Sequence, residues 1–169
     1  MNPVFLRALE PEDLALTWRW HNDPELYTTL GGSFRFVSQQ AEADWLRAKS
    51  TPSSNQVNLA ICESASTEHV GNAYLRDIDW IHRHAELHLF IGSETMRGKG
   101  YGQAATRLLV QHAFDDLNLH RVYLFVLADN ARAIRAYEKC GFQIEGQLRQ
   151  HVFKHGTFVD MILMGLCRA

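Results

Sequence analysis

The spacing of apolar residues changes several times along the chain, and each change marks an element. Val4–Leu9 is a short, mostly apolar run that predicts a first strand. The acidic, proline-containing Glu10-Pro11-Glu12-Asp13 then opens a helix to about His21, which Asn22-Asp23-Pro24 breaks. Gly31-Gly32 marks a loop, and Ser38 caps a second helix running to about Lys49. After the polar turn Thr51–Asn55 the pattern becomes strand-like. Gln56–Glu63 and Val70–Ile78 pair across the polar loop Ser64–His69, and Ala85–Ile91 is a third strand of that sheet. A glycine-rich run follows. Beyond it, a long helix beginning near Gln103 carries Leu108, Leu109, Phe114 and Leu117, with small Ala104, Ala105 and Ala113 between them. Arg121–Leu127 is a strand, Asn130–Cys140 a helix, and Phe142–Glu145 and Phe158–Leu166 close the chain as strands.

No repeat, linker or low-complexity tract interrupts this order, so the residues predict one α+β domain over 1–169. The strand, helix and strand from Ala85 to Leu127 make a parallel crossover unit. A chain of 169 residues can bury a real core, and 46% hydrophobic with 21% charged residues is an ordinary globular composition. The formal net charge of −2 gives no electrostatic case for nucleic acid. No apolar run is long enough for a membrane span, and the N-terminus lacks the apolar stretch of a signal peptide. Cys62, Cys140 and Cys167 are odd in number and widely spaced, suggesting neither a disulfide framework nor a zinc knuckle. The expectation is a soluble, cytoplasmic protein.

The glycine run Arg97-Gly98-Lys99-Gly100-Tyr101-Gly102 sits between a strand and a helix start. Glycine permits φ > 0 and close backbone approach, and a helix N-terminus presents unpaired N–H groups with the positive end of the dipole. Together they predict a phosphate cradle. A P-loop would need G-x-x-x-x-G-K-S/T, but Lys99 is followed by Gly100. A dinucleotide fingerprint counted from Gly98 would need glycine at 103, which is Gln103. The remaining pattern, Arg97-x-x-Gly100-x-Gly102, resembles the Q/R-x-x-G-x-G/A pyrophosphate loop of the GNAT-type N-acetyltransferase superfamily. A second segment, Asn130-Ala131-Arg132-Ala133-Ile134-Arg135-Ala136-Tyr137-Glu138-Lys139-Cys140-Gly141-Phe142, resembles that superfamily's N-x-x-A-I-x-x-Y-E-K-x-G-F helix. Read physically, Asp129 or Asn130 caps this helix, Gly141 ends it, and Tyr137 projects from about the same face as the cap, two turns along. Trp18–Glu25 and His151–Asp160 are similar to the W-x-N-D-P-E helix end and H-x-F-x-x-G-x-x-x-D hairpin of the RimJ/RimL-like branch.

The resemblance implies a three-layer α/β arrangement: a central mixed, mostly antiparallel sheet with a V-shaped splay and helices on both faces. It implies an acetyl-CoA-dependent transfer to a primary amine, with a protein N-terminus, polyamine, amino sugar or amino acid as acceptor. By the same resemblance Leu89, Phe90 and Ile91 hold the pantetheine arm, and Arg97, Gly98, Lys99, Gly100, Tyr101 and Gly102 hold the pyrophosphate. Asn130 and Ala133 contact the cofactor, and Tyr137 protonates the leaving thiolate. Arg97 and Lys99 add charge beside the phosphates or stand as solvated surface groups. Strand alternation puts His84, Glu86 and His88 on one face, away from Ala85, Leu87 and Leu89. Two readings of Glu86 stand, a catalytic base and a strand-edge salt bridge. His82, His84 and His88 around Glu86 invite a metal, but HAELH lacks the H-E-x-x-H spacing and the family chemistry needs none. His151 and His155 complete a histidine-rich set that could tune a pH response. The acceptor wall is expected from Trp18, Trp20, Asp23, Glu25, Tyr27 and Phe34, each also readable as core or helix-end framework. The rival to an enzyme is a non-catalytic acetyl-CoA-binding sensor. A homodimer is compatible with an unpaired strand near the C-terminus.

Overall fold

Ile61 is completely buried, and so are its neighbours Ala60 and Cys62, which must point to the opposite side of the same strand. That strand is therefore covered on both faces. In the computed structural model, which describes residues 2–92 and 94–169, Ile61 belongs to one core and Ala60 and Cys62 to another. The elements are β1 (Val4–Ala8), α1 (Leu14–His21), α2 (Pro24–Tyr27), α3 (Gln39–Ser50), β2 (Val57–Glu63), β3 (His69–Asp79), β4 (His84–Ile91), α4 (Tyr101–Gln111), β5 (Arg121–Leu127), α5 (Ala131–Glu138), β6 (Gln143–Lys154) and β7 (Thr157–Cys167). The larger core packs α4 residues Ala105 and Leu109 against Ala73, Leu75, Leu87, Val122 and Leu124. Leu109 alone, fully buried, contributes roughly 2 kcal/mol. On the other face Leu46 of α3, with Trp45 and Leu14, covers Leu9, Ala60 and Cys62.

The strands form one sheet in the order β1-β2-β3-β4-β5-β7-β6. Every neighbouring pair is antiparallel except β4 with β5. That parallel ladder joins only His84, Ala85 and Glu86 to Arg121, Val122 and Tyr123. On its other edge β4 stays paired to β3 as far as Ile91, and β5 stays paired to β7 as far as Leu127. Each strand is thus tied to its own half of the sheet while the two halves separate. The sequence expectation of a mixed, mostly antiparallel sheet with helices on both faces holds.

Several bounds differ from the sequence reading. A short extra helix, α2, follows the Asn22-Asp23 break because Asp23 accepts a hydrogen bond from Glu25 N–H at 3.0 Å and Pro24 fits the first helical position. The last two strands are longer than predicted, β6 reaching Lys154 rather than Glu145. They meet at a two-residue turn, His155-Gly156, with φ of +46° and +82°, the handedness that a tight hairpin requires. As the edge strand of the sheet, β6 has two register shifts against β7. No helix among the described residues is long and apolar enough to cross a membrane.

One buried polar group ties β1 to the α1 side. Asp13 accepts two hydrogen bonds from Arg7 at 2.7 and 2.8 Å and one from Glu10 N–H at 2.9 Å, and His69 Nδ1 lies 2.9 Å from it. Burial alone would raise the Asp13 pKa, but the Arg7 guanidinium and the other donors outweigh it and hold the carboxyl below its ordinary range. A lowered folded-state pKa means that this group stabilises the fold above the unfolded value near pH 4 and stops doing so as the pH falls through the folded value. Asp13→Ala, which strands Arg7 beside a buried imidazole, is expected to cost about 3 kcal/mol in urea unfolding at neutral pH. The difference from wild type should narrow in acid, and a pH-independent difference would contradict the assignment.

Candidate active site

Where β4 and β5 separate, a cleft of about 870 Å³ opens, lined by both strands, α4 and α5. This volume is within the range of small-molecule sites. Beyond Glu86 the edge of β4 that faced β5 no longer has a strand partner, so the backbone of Leu87–Ile91 borders the cleft. Backbone N–H and C=O groups need partners, and here a bound ligand could provide them.

The glycine run forms the next wall. Gly98 and Gly100 both have φ of +82°, a conformation that L side chains rarely adopt, and Gly100 caps α4. Ala104 N–H bonds to Gly100 C=O at 3.0 Å, so the amides of Tyr101, Gly102 and Gln103 precede the first helical bond. Arg97, Gly98, Gly100, Tyr101 and Gly102 line the cleft; Lys99 does not. Instead Lys99 Nζ lies 3.2 Å from Met96 Sδ and 6.0 Å from the centre of the Tyr101 ring. Arg97 folds back to donate to the carbonyls of Ile91 and Gly92 at 3.1 and 3.2 Å. The Tyr101 ring is buried and its hydroxyl donates to Glu63, leaving its backbone amide for the cradle. Further cations at this mouth are Arg132, Arg135 and Lys139, three residues that the sequence reading passed over. Their spacings of three and four residues were the available signal, since such positions share a helix face.

Asn130, Ala133 and Tyr137 line the cleft from α5. The Asn130 carbonyl accepts from Ala133 N–H at 3.1 Å, and its amide donates to Thr29 C=O at 3.3 Å. The Tyr137 ring stands edge-on to Phe142, with centroids 5.9 Å apart, and burial pushes the phenol up to about 12. On β4 the predicted alternation holds in burial as far as His88, with Ala85 and Leu87 buried between half-buried His84, Glu86 and His88. Leu89 is half-buried, and Glu86, Leu87, His88 and Leu89 all line the cleft. Glu86 Oε1 lies 2.6 Å from His88 Nε2, so the carboxylate is engaged with a histidine inside the cleft. The expected histidine group divides. His151 lines the cleft, His155 sits in the β6–β7 turn, and His82 and His84 lie near Asp79 rather than beside His88.

The opposite end is walled by His21, Leu26, Tyr27, Thr29–Gly32, Trp45, Tyr74 and Arg76. Of the residues expected here, Tyr27 lines the cleft and Phe34 meets its ring edge-on, with centroids 5.6 Å apart. The others are framework. Trp18 donates its indole N–H to Val37 C=O at 2.8 Å, Asp23 caps α2, and Glu25 is exposed. Trp20 is buried so closely beneath Gly92 that a Cβ there would approach its ring to 2.1 Å. The loop after α2 is held by remote side chains, with the Lys154 ammonium donating to Tyr27 C=O at 2.8 Å and to Gly32 C=O. Behind this wall Glu42 is 1% exposed, its Oε2 2.7 Å from His21 Nδ1. Its Oε1 has no hydrogen-bond partner among the described residues. The sequence reading did not single out Glu42, an acid in the first turn of α3. Burial raises the Tyr74 phenol pKa at the same end. The cleft is therefore basic at the α4–α5 mouth, while the opposite wall carries Arg76 and His21, with the Glu42 carboxylate behind it.

Comparison with known proteins agrees with this geometry. The model of the acetyltransferase (GNAT) domain matches residues 4–143. The chain is 31% identical over 158 residues to the spermidine N(1)-acetyltransferase of Vibrio cholerae, covering 92% of this chain and 88% of the relative. The Escherichia coli spermidine N(1)-acetyltransferase is 37% identical over 97 residues, 57% of this chain and 52% of the relative. The crystal structure of the Vibrio cholerae spermidine N-acetyltransferase in complex with CoA and spermine superposes with a TM-score of 0.90 at 28% identity, covering 99% of this chain and 96% of that one.

The cradle makes a specific demand on Gly100. Gly100→Ala adds a methyl with no heavy atom within 4 Å but at a φ that alanine tolerates poorly, costing about 1 kcal/mol. Calorimetric titration with CoA should show roughly tenfold weaker binding with the fold retained. Unchanged affinity would remove the α4 N-terminus from the phosphate site.

Proposed function

The chain belongs to the acetyltransferase (GNAT) domain family, and we propose that it moves the acetyl group of acetyl-CoA to a primary amine of a polyamine. It is an amine N-acetyltransferase by its relatives; the acceptor and the residue roles are the proposal. One observation carries it. The released edge of β4, the N-terminus of α4 and Tyr137 of α5 all border the same cleft as Glu86.

In this reading the backbone of Leu89, Phe90 and Ile91 receives the pantetheine arm. The amides of the Arg97–Gly102 run receive the pyrophosphate, with Asn130 and Ala133 beside it. Arg132, Arg135 and Lys139 add positive charge at the mouth. Acetyl-CoA supplies the acyl group as an activated thioester. An alkylammonium ion with a pKa near ~10 must lose a proton before its nitrogen can attack. Glu86 takes that proton, directly or through a water, while His88 fixes the carboxylate's orientation. As the C–N bond forms and the C–S bond breaks, Tyr137 gives its phenolic proton to the departing sulfur, and the second proton lost by the nitrogen passes to solvent, from which the phenol is restored. A phenol pushed up to about 12 by burial is fully protonated throughout the neutral range. Holding both reactants in one cleft supplies much of the remaining rate.

Among the acceptors implied by the RimJ/RimL-like resemblance, a polyamine is favoured by the carboxylates Glu86 and Glu42 and the aromatic Tyr27 and Trp45 around the acceptor end. Aromatic rings and acids suit a cationic chain. The named relatives, spermidine acetyltransferases, support the same choice.

Release of CoA thiol should be measured with spermidine, spermine, amino sugars, amino acids and short peptides. Polyamines are expected to lead in kcat/KM by tenfold or more. Higher turnover of peptides would replace the polyamine reading with N-terminal acetylation, and no thiol release from any amine would favour a binding module. Tyr137→Phe should lower kcat by about a hundredfold with KM for acetyl-CoA little changed. Glu86→Gln should lower kcat similarly and alter the pH–rate profile; an unaltered profile would return Glu86 to the salt-bridge reading.

A further inference from the structure

The turn between β3 and β4 carries a group of side chains that the transfer reaction does not use. Asp79 ends β3, His84 begins β4, and His82 lies in the turn between them. One ligand atom from each of the three lies within 4.8 Å of the others. We propose that Asp79, His82 and His84 form a binding site for a divalent transition metal of the zinc type, which clamps this turn.

Three observations support the site. Asp79 is already shaped as a ligand: its Oδ1 accepts from the N–H groups of Ile81 and His82 at 2.9 and 2.8 Å, and its Oδ2 is 2.9 Å from His82 Nδ1. The backbone donors thus fix the carboxylate, leaving its outer oxygen towards the histidines. Second, the imidazoles of His82 and His84 lie nearly parallel, 25° apart with centroids separated by 6.2 Å. Two adjacent imidazoles share a cation more favourably than they share two protons. Third, His84 Nδ1 is buried and has no hydrogen-bond partner among the described residues, a condition that calls for an ion or a water.

The chemistry selects the metal. Two imidazole nitrogens and one carboxylate suit zinc and its neighbours, which take four ligands at about 2.0–2.2 Å, and water would complete the shell. Bonds of that length require ligand atoms about 3.3 Å apart, so the more distant ligand atoms must close by an ångström or more. The exposed His82 side chain, with 73% of its surface open, can make that adjustment. The ion would be structural. It would join the end of β3 to the start of β4, across the register shift between Arg76 and Asp79 and next to the three-residue ladder that holds β4 to β5.

Cobalt(II) is the most informative probe. Titration of the full-length, metal-free protein should give one equivalent with visible d–d absorption and no near-ultraviolet thiolate-to-cobalt band. Zinc should displace the cobalt and raise the melting temperature. His82→Gln and His84→Gln, checked for folding by their melting temperatures in chelator, should each weaken binding by about tenfold or more and abolish the zinc-induced shift. Absence of binding, a thiolate band, or a wild-type titration retained by His82→Gln would overturn the site. His82→Gln keeps the test valid if His84→Gln disturbs the strand.

Discussion

The rest of the molecule depends on where one parallel ladder stops. β4 and β5 exchange backbone bonds only at their first three residues and are then drawn apart, because each is held along its full length by a different antiparallel neighbour. A sheet that stayed closed would satisfy every backbone group and leave no cleft. By opening, it leaves a polar strand edge within the fold, where such an edge is costly unless something occupies it. The glycine cradle and α5 stand beside that edge, so the incomplete ladder is the foundation of the binding site.

Charge is less evenly divided. Arg132, Arg135 and Lys139 concentrate positive charge at one mouth, while the opposite wall combines Arg76 and His21 with the buried Glu42 behind it. The mouth is thus the part of the cleft suited to a polyanion. Arg97 shows how fully the local structure uses its charges: its guanidinium goes to the carbonyls of Ile91 and Gly92, bracing the end of β4.

Much of the local structure around the cleft could be read from sequence because short-range chemistry determines it. Gly98, Gly100 and Gly141 mark positions with positive φ, and Ser38 and Asn130 cap helices through their own side chains. Alternation along β4 separates Glu86 from Leu87 without tertiary information. What escaped has long-range causes. β6 is an exposed edge strand with two register shifts, so its polar Gln147, Arg149 and Gln150 lack the apolar alternation that signals a strand. Glu42 is buried only because α3 packs it against His21 of α1, a pairing across 21 residues. The tryptophans near the N-terminus could be read from sequence either as acceptor wall or as framework, and the packing of Trp20 against Gly92 decides for framework there.

The loop from Tyr27 to Gly32 has little regular structure beyond the end of α2, yet it borders the cleft. It is suspended from two distant anchors, Lys154 on β6 and Asn130 at the start of α5, more than 100 residues away in sequence. Neither anchor reads the loop's side chains, because both bond to its carbonyls. The lineage could therefore exchange residues 28–30, and with them the shape presented to the cleft, more readily than Gly31, where a Cβ would meet the side chain of Met161 at 2.8 Å. A substrate range could drift by this route at small cost to folding, since the attachment is to the peptide backbone that every replacement retains.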